Sequence, residues 1–102
     1  DASGVDPLSR MICSSQTFSA MTEQLMNAAN DICNDKLVFA HEGGYSEVHV
    51  PFCAHAVLQK LSGSEIDAGD PLAPILECQQ PNQEMLSVYS GIIDRYRKYF
   101  YL

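Results

Sequence analysis

The chain has 102 residues, of which 46% are hydrophobic, and it carries a formal net charge of −7. This length and composition suffice for one small domain, residues 1–102, with a modest core. The acidic balance argues against nucleic acid as a partner, because phosphates select surfaces rich in Lys and Arg. No apolar run is long enough to span a bilayer.

No basic-then-apolar leader opens the sequence, so we expect a cytoplasmic protein. The four cysteines do not form a C-x-x-C pair, which makes a zinc-finger reading weak. We expect them to be reduced and mostly structural: Cys13, Cys33, Cys53 and Cys78.

Residues 1–14 begin as a loop in which Asp6 and Pro7 form a turn. Ser15 or Thr17 is the predicted cap of a first helix, which ends near Asn34. Its apolar residues recur at steps of three and four: Phe18, Met21, Leu25, Ala28 or Ala29, and Ile32.

The short apolar run at 37–41 predicts a buried strand. Gly43 and Gly44 follow it and allow a sharp backbone turn, so that Tyr45 projects from the edge of the sheet. Open α/β sheets usually carry their chemistry at this edge.

Ser46 is the predicted cap of a second helix, with Pro51 in its opening turn and Gly63 just past its end. Its inward positions are Val50, Cys53 or Ala54, Val57, Leu58 and Leu61. The Pro-rich residues 64–81 predict a loop with one helical turn near 73–78.

Asn82 is the predicted cap of a last helix with cationic residues near its carboxyl end. Its buried stripe is predicted to contain Met85 or Leu86, Tyr89, Ile92 or Ile93, Tyr96 and Phe100. The prediction is a mostly helical α/β chain with three substantial helices and one short strand.

An ordered set of short motifs resembles the C-terminal part of bacterial histone-deacetylase-like amidohydrolases, a family that includes acetoin-utilisation proteins and acetylpolyamine amidohydrolases. The resemblance covers at least residues 1–63. The motifs are Asp1-Ala2, Asp6-Pro7-Leu8-Ser9-Arg10-Met11, His41-Glu42-Gly43-Gly44-Tyr45-Ser46, Val50-Pro51-Phe52-Cys53 and Leu61-Ser62-Gly63.

The resemblance implies a three-layer α/β fold with a Zn²⁺ site at the carboxyl ends of parallel strands. It implies that Asp1 is a zinc ligand, and a carboxylate suits a hydrolytic zinc. It implies that the phenol of Tyr45 hydrogen-bonds the substrate carbonyl as negative charge develops there. Gly43 and Gly44 would bring the backbone close to the substrate channel.

The other two zinc ligands of that family lie in an Asp-x-His motif, and its general base lies in a His-His pair. Neither motif occurs in this sequence. We expect a structural role for His41 and surface positions on the second helix for His49 and His55. One carboxylate and one phenol cannot hold a catalytic zinc or activate water, so we expect the isolated chain to bind no metal and to be inactive.

Two functions remain open at this point. The chain is either the C-terminal piece of a zinc deacylase that hydrolyses acetyl amides on lysine or polyamines, or a non-catalytic, self-associating interaction module derived from that fold. A lone strand has two unpaired edges, which favours a homodimer through residues 37–41 or through the aromatic C-terminal helix.

Overall fold

The computed structural model describes residues 1–8 and 11–100, so Ser9 and Arg10 of the second motif, and Tyr101, lie outside the described residues. Four helices make up most of this part of the chain: α1, Ser15–Cys33; α2, Val50–Ser62; α3, Ala73–Glu77; and α4, Gln83–Phe100. Within 1–8 and 11–100, no helix has the length and apolarity to cross a membrane. The prediction of a mostly helical chain is confirmed.

The N-cap of the first helix lies one residue before Ser15, the first of the two predicted caps. Ser14 is the N-cap, and its hydroxyl accepts a hydrogen bond from the Thr17 amide while Thr17 in turn accepts from the Ser14 amide. This reciprocal capping box satisfies amides that the first helical turn leaves without partners. The helix ends at Asn34, as predicted, in a left-handed conformation with φ of 51°.

The second helix also begins differently from the prediction. His49, not Ser46, is its N-cap, and the Ser46 carbonyl accepts hydrogen bonds from the amides of His49 and Val50. Pro51 lies in the first turn and Gly63 ends the helix with φ of 67°, both as predicted. The residues before Val50 therefore form a turn that leads directly into the helix.

Helices α1 and α2 pack against each other, and two residues of α3, Ala73 and Leu76, are buried. The buried apolar residues are mostly small: Ala29, Cys53, Ala56, Ala73 and Leu76. Leu76 is 0% exposed, and one of its methyl groups occupies the space that a Cβ at Gly4 would need. The core consequently ties α3 to the first residues of the chain.

The predicted strand at 37–41 is wrong. The segment has no regular secondary structure, and the side chain of Val38 is 93% exposed. A strand is defined by hydrogen bonds to a neighbouring strand, and the described residues supply no neighbour to it. The β pairing recorded within 1–8 and 11–100 is an isolated bridge between Ser3 and Cys13.

Helix α4 forms as predicted, but its predicted burial is wrong. The Asn82 side chain accepts from the Met85 amide and so caps the first turn. No residue of α4 is buried, and Tyr89, for example, is 45% exposed. Amphipathic spacing indicates which face of α4 is apolar, but no other segment of the described chain buries that face.

Candidate functional site

The glycine turn is built around the side chain of Asp1. Gly43 and Gly44 both have left-handed backbones, with φ of 68° and 87°. The Gly44 amide donates a hydrogen bond to Oδ1 of Asp1 at 2.6 Å. A Cβ at Gly43 would overlap the Asp1 carboxylate, and a Cβ at Gly44 would lie 2.9 Å from a methyl group of Val50. Glycine at position 43 therefore lets Asp1 approach this closely, whereas glycine at position 44 allows the left-handed backbone beside Val50.

The next amide along the chain is held by a second carboxylate. The Tyr45 amide donates to Oδ2 of Asp6 at 2.8 Å, and the Leu8 amide donates to the other oxygen, Oδ1, at 2.9 Å. The Asp6 side chain is 1% exposed. The bond from Leu8 confirms Asp6 as a turn former, but its second role, holding the glycine turn, was not predicted.

Three of the predicted site residues therefore come together: Asp1, Gly43 and Gly44. Tyr45 follows directly, with its side chain 54% exposed and available to a ligand. His41 is also exposed, and its Nε2 would lie 3.4 Å from a Cβ at Gly44. Asp1 and His41 therefore lie on either side of the glycine turn, and the exposed side chain of Tyr45 follows it in the chain.

A groove of about 530 Å³ lies beside this turn, between α1, α2 and residues 39–44. Asp1, His41 and Gly44 contribute to its wall, and the rest of the wall is mainly apolar, with Phe18 and Leu61 among its members. This groove is lined by the residues predicted to face inward from α2 and, on α1, by Phe18, Met21 and Leu25. They are not all buried, since Leu58 is 63% exposed, and Ile32 at the end of the predicted α1 face is 84% exposed.

A buried polar network lies behind the turn. Oγ of Ser3 is 2.5 Å from Nδ1 of His49, and Nε2 of His49 is 3.1 Å from Oδ2 of Asp70. Asp70 also accepts from Oγ of Ser15 at 2.5 Å and from the Leu72 amide at 2.9 Å. His49 is 0% exposed, so its predicted position on the helix surface is wrong.

Burial and hydrogen bonding set the acidity of two groups in this network. Burial alone would raise the pKa of Asp70, but the hydrogen bonds from Ser15, Leu72 and His49 outweigh it and hold that pKa below its ordinary value of 3.8. Burial, reinforced by the charge of Asp70, raises the pKa of the Cys53 thiol to about 11. Asp70 is therefore a carboxylate at neutral pH, and Cys53 is an unreactive thiol.

The described residues do not build a zinc site by themselves. Nowhere in 1–8 and 11–100 do three His, Cys, Asp or Glu side chains come close enough to hold a metal ion. Asp1 is the predicted ligand, and its Oδ1 is already bonded to the Gly44 amide. A hydrolytic zinc takes three protein ligands and keeps one position for water, so the residues present here do not fit that ion without further ligands.

Sequence reasoning missed the network for a definite reason. Ser3 and His49 are 46 positions apart, and His49 and Asp70 are 21 positions apart. Neither separation follows a helical or strand period, so no pattern in the sequence connects these side chains. The sequence offered one local hint about His49. It directly precedes the apolar residues of α2, which is the N-cap position of that helix, although its side chain makes no capping hydrogen bond there.

Comparison with known proteins adds two findings. Residues 1–61 match the histone deacetylase domain. The chain is 50% identical over 82 residues to a histone deacetylase-like amidohydrolase of Pseudomonas aeruginosa, an overlap that covers 80% of this chain and 22% of that protein. The chain thus spans about a fifth of the length of that relative.

Proposed function

Because the chain belongs to the histone deacetylase domain family, we propose that it is the C-terminal portion of a zinc-dependent amidohydrolase that cleaves acetyl amides on lysine or polyamines. One observation carries the proposal. The Asp1 carboxylate accepts a hydrogen bond from the Gly44 amide at 2.6 Å, one residue before Tyr45. This contact places the Asp1 carboxylate beside the backbone that precedes Tyr45, and Asp1 and Tyr45 are the two residues whose side chains the family resemblance assigns to chemistry.

Asp1 contributes one carboxylate ligand in this proposal. Its side chain is 54% exposed and contributes to the groove wall, which leaves the carboxylate accessible. The remaining ligands and the general base have to come from residues outside the described chain, because one carboxylate does not bind a hydrolytic zinc. The isolated chain is therefore proposed to be inactive.

Tyr45 contributes the hydrogen-bond donor for the substrate. Its amide is fixed by the buried Asp6, whereas its side chain is 54% exposed. A fixed backbone with an open phenol suits a group that meets a substrate oxygen as negative charge develops there. Gly43 and Gly44 add no side chains that would narrow the approach to this oxygen.

A chimera tests the proposal directly. The part of the Pseudomonas relative that aligns with this chain is replaced by the chain itself, and deacetylation of an acetyl-lysine peptide is measured. We expect the chimera to retain activity and Tyr45→Phe to lower kcat by about 10²-fold to 10³-fold, the usual effect of removing one such donor. Tyr99→Phe makes the same change at a 64% exposed position of α4, outside its apolar stripe, and should have no effect. A chimera in which the Tyr45 and Tyr99 variants behave alike refutes the role of Tyr45.

A second candidate function, self-association, is favoured by the unburied apolar face of α4. Glu84 lies in the first turn of α4, and Arg97 and Lys98 lie in its last turn. Two copies of α4 packed antiparallel would place the acidic end of each against the basic end of the other, and their helix dipoles would also be opposed. This arrangement replaces the dimer through residues 37–41, which form no strand.

Light scattering during size exclusion tests this dimer on the 102-residue chain. We expect a dimer that Ile92→Glu converts to monomer, because the charge enters the apolar stripe. Ser87→Glu introduces the same charge outside the stripe and should leave the dimer intact. A monomeric parent chain would refute self-association. The apolar face of α4 would then be assigned to contacts with the rest of a larger domain.

A further inference from the structure

We propose that His49 is a positioning residue that holds the Asp1–Tyr45 turn through its bond to Ser3. The inference depends on the proposed function for its chemical meaning, since it concerns the groups to which that function assigns roles. It deepens the function by adding a residue that touches neither the substrate nor a metal. The family resemblance does not include His49, Ser3 or Asp70 among its functional positions.

Three ties join residues 1–6 to residues 44–49. The Gly44 amide binds Asp1, the Tyr45 amide binds Asp6, and His49 binds Ser3. Ser3 lies between the two aspartates in the chain, and His49 lies shortly after the two amides. The Ser3–His49 contact is the one of these three ties that joins two side chains. In the proposal it sets the distance between the two backbone segments, and the two carboxylate contacts depend on that distance.

Ser3 is fixed on its own side as well. The Val5 amide donates to its Oγ at 3.3 Å, and the Asp6 amide donates to its carbonyl at 3.1 Å. The neighbouring Gly4 amide donates to the Cys13 carbonyl at 3.1 Å. Residues 1–6 therefore form a fixed loop, so that a displacement of Ser3 moves both aspartates with it.

Asp70 fixes the other nitrogen of the His49 ring. With Asp70 ionised, Nε2 carries the proton and donates to Oδ2, which leaves Nδ1 to accept from the Ser3 hydroxyl. This tautomer is assigned from the hydrogen-bond partners. Asp70 also accepts from Ser15 at the first turn of α1, so the His49 ring connects the turn to the start of α1.

The same three residue types, Ser, His and Asp, form nucleophilic triads in hydrolases, but burial argues against that chemistry here. His49 is 0% exposed and Ser3 is 4% exposed. The Ser3 hydroxyl is also engaged by the Val5 amide. A nucleophile must reach its substrate, so the network is a support for the turn and not a second catalytic site.

Two conservative variants separate the His49 bonds to Ser3 and Asp70, the partners of the ring besides the Cys53 thiol, which lies 3.5 Å from Nδ1. The side-chain amide of Asn reaches the position of Nδ1, whereas that of Gln reaches the position of Nε2. His49→Asn therefore keeps the bond to Ser3 and loses Asp70, while His49→Gln keeps the bond to Asp70 and loses Ser3. His55→Gln, a half-buried position on α2 outside the network, is the matched control.

The readout is amide hydrogen exchange of Gly44 and Tyr45 in the 102-residue chain, measured by NMR with no metal or substrate present. We expect His49→Gln and Ser3→Ala to speed exchange at both amides by roughly tenfold, while amides in the middle of α1 keep their rates. We expect His49→Asn and the His55 control to stay within about twofold of the parent.

Equal loss of protection in His49→Asn and His49→Gln would overturn the proposal, because the Ser3 bond would then not be the tie that matters. Unchanged exchange in Ser3→Ala, or global unfolding of Ser3→Ala, would also overturn it. This result is independent of the proposed function. An inactive chimera with the expected exchange pattern rejects the amidohydrolase proposal, whereas an active chimera without that pattern rejects the role of His49.

Discussion

Replacing Gly43 with alanine tests how closely Asp1 and the glycine turn depend on each other. The new Cβ would overlap the Asp1 carboxylate, and the backbone at this position is left-handed with φ of 68°. The variant therefore has two effects, a backbone strain and a displaced carboxylate. Gly69→Ala separates them, because Gly69 has φ of 63° and no heavy atom within 4 Å of its added Cβ.

The two effects have different magnitudes. An L-residue in the left-handed region costs about 1–2 kcal/mol, and this cost applies to both variants. Displacing Asp1 also removes its bond to the Gly44 amide. Hydrogen bonds to charged groups contribute about 1.5–3 kcal/mol, but Asp1 is half exposed, so we expect about 1 kcal/mol here. Gly43→Ala should thus lose about 2–3 kcal/mol and Gly69→Ala about 1–2 kcal/mol.

Urea unfolding gives the two free energies, and hydrogen exchange measured by NMR reports the protection of the Gly44 amide. We expect this amide to lose protection in Gly43→Ala and to keep it in Gly69→Ala. If the two variants lose the same stability and both keep the Gly44 amide protected, Asp1 does not depend on the glycine at position 43, and the described contact is not the basis of the site.

Three further predictions concern the core and the buried network. Leu76→Ala should lower the free energy of unfolding by about 2–5 kcal/mol, whereas Ile75→Ala, which truncates a 56% exposed side chain, should lower it by less than about 1 kcal/mol. Similar losses for the two variants in urea unfolding would contradict the described core. The lowered pKa of Asp70 means that its contribution to stability is complete above the ordinary value of 3.8 and is lost as the pH falls through the lower folded value. Asp70→Asn should therefore be less stable than the parent at neutral pH, with a difference that shrinks in strong acid; a constant difference at every pH would contradict this reasoning. Because Cys53 is buried and its pKa is raised, we expect iodoacetamide to alkylate it slowly in the folded chain. The exposed Cys78 should react first, and the two thiols should react at equal rates only in denaturant. Fast labelling of Cys53 in the folded chain would show that it is not buried.

Apart from the start of α2, where His49 and not Ser46 is the N-cap, helix ends could be predicted to within a residue or two because their signals are local. Asn34 and Gly63 end α1 and α2 where the sequence indicated, and Asn82 caps α4. The first cap was misplaced by one residue, since Ser14, Ser15 and Thr17 all carry side chains that can cap a helix. Local chemistry therefore determined these elements.

The strand at 37–41 and the burial of α4 could not be predicted from local chemistry. Both predictions assumed a partner, either a neighbouring strand or an apolar surface, and apolar spacing does not say whether that partner is present. Within the described part of the chain, Val38 remains 93% exposed and α4 has no buried residue. These faces are consistent with a chain that spans about a fifth of its relative.

The candidate site was predicted in part. Asp1, Gly43, Gly44 and Tyr45 came from the family resemblance, and the structure brings the first three into direct contact. The buried network around His49 escaped prediction because its members are distant in sequence and meet only through the packing of α1, α2 and the loop before α3.

Zinc content tests the central claim most directly. The claim is that this chain supplies one ligand, Asp1, to a site that other residues complete. We predict that the purified 102-residue chain holds far less than stoichiometric zinc, that the chimera holds stoichiometric zinc, and that Asp1→Asn removes it from the chimera while Asp94→Asn on exposed α4 does not. Stoichiometric zinc in the isolated chain, or zinc retained by the Asp1→Asn chimera, would contradict the account.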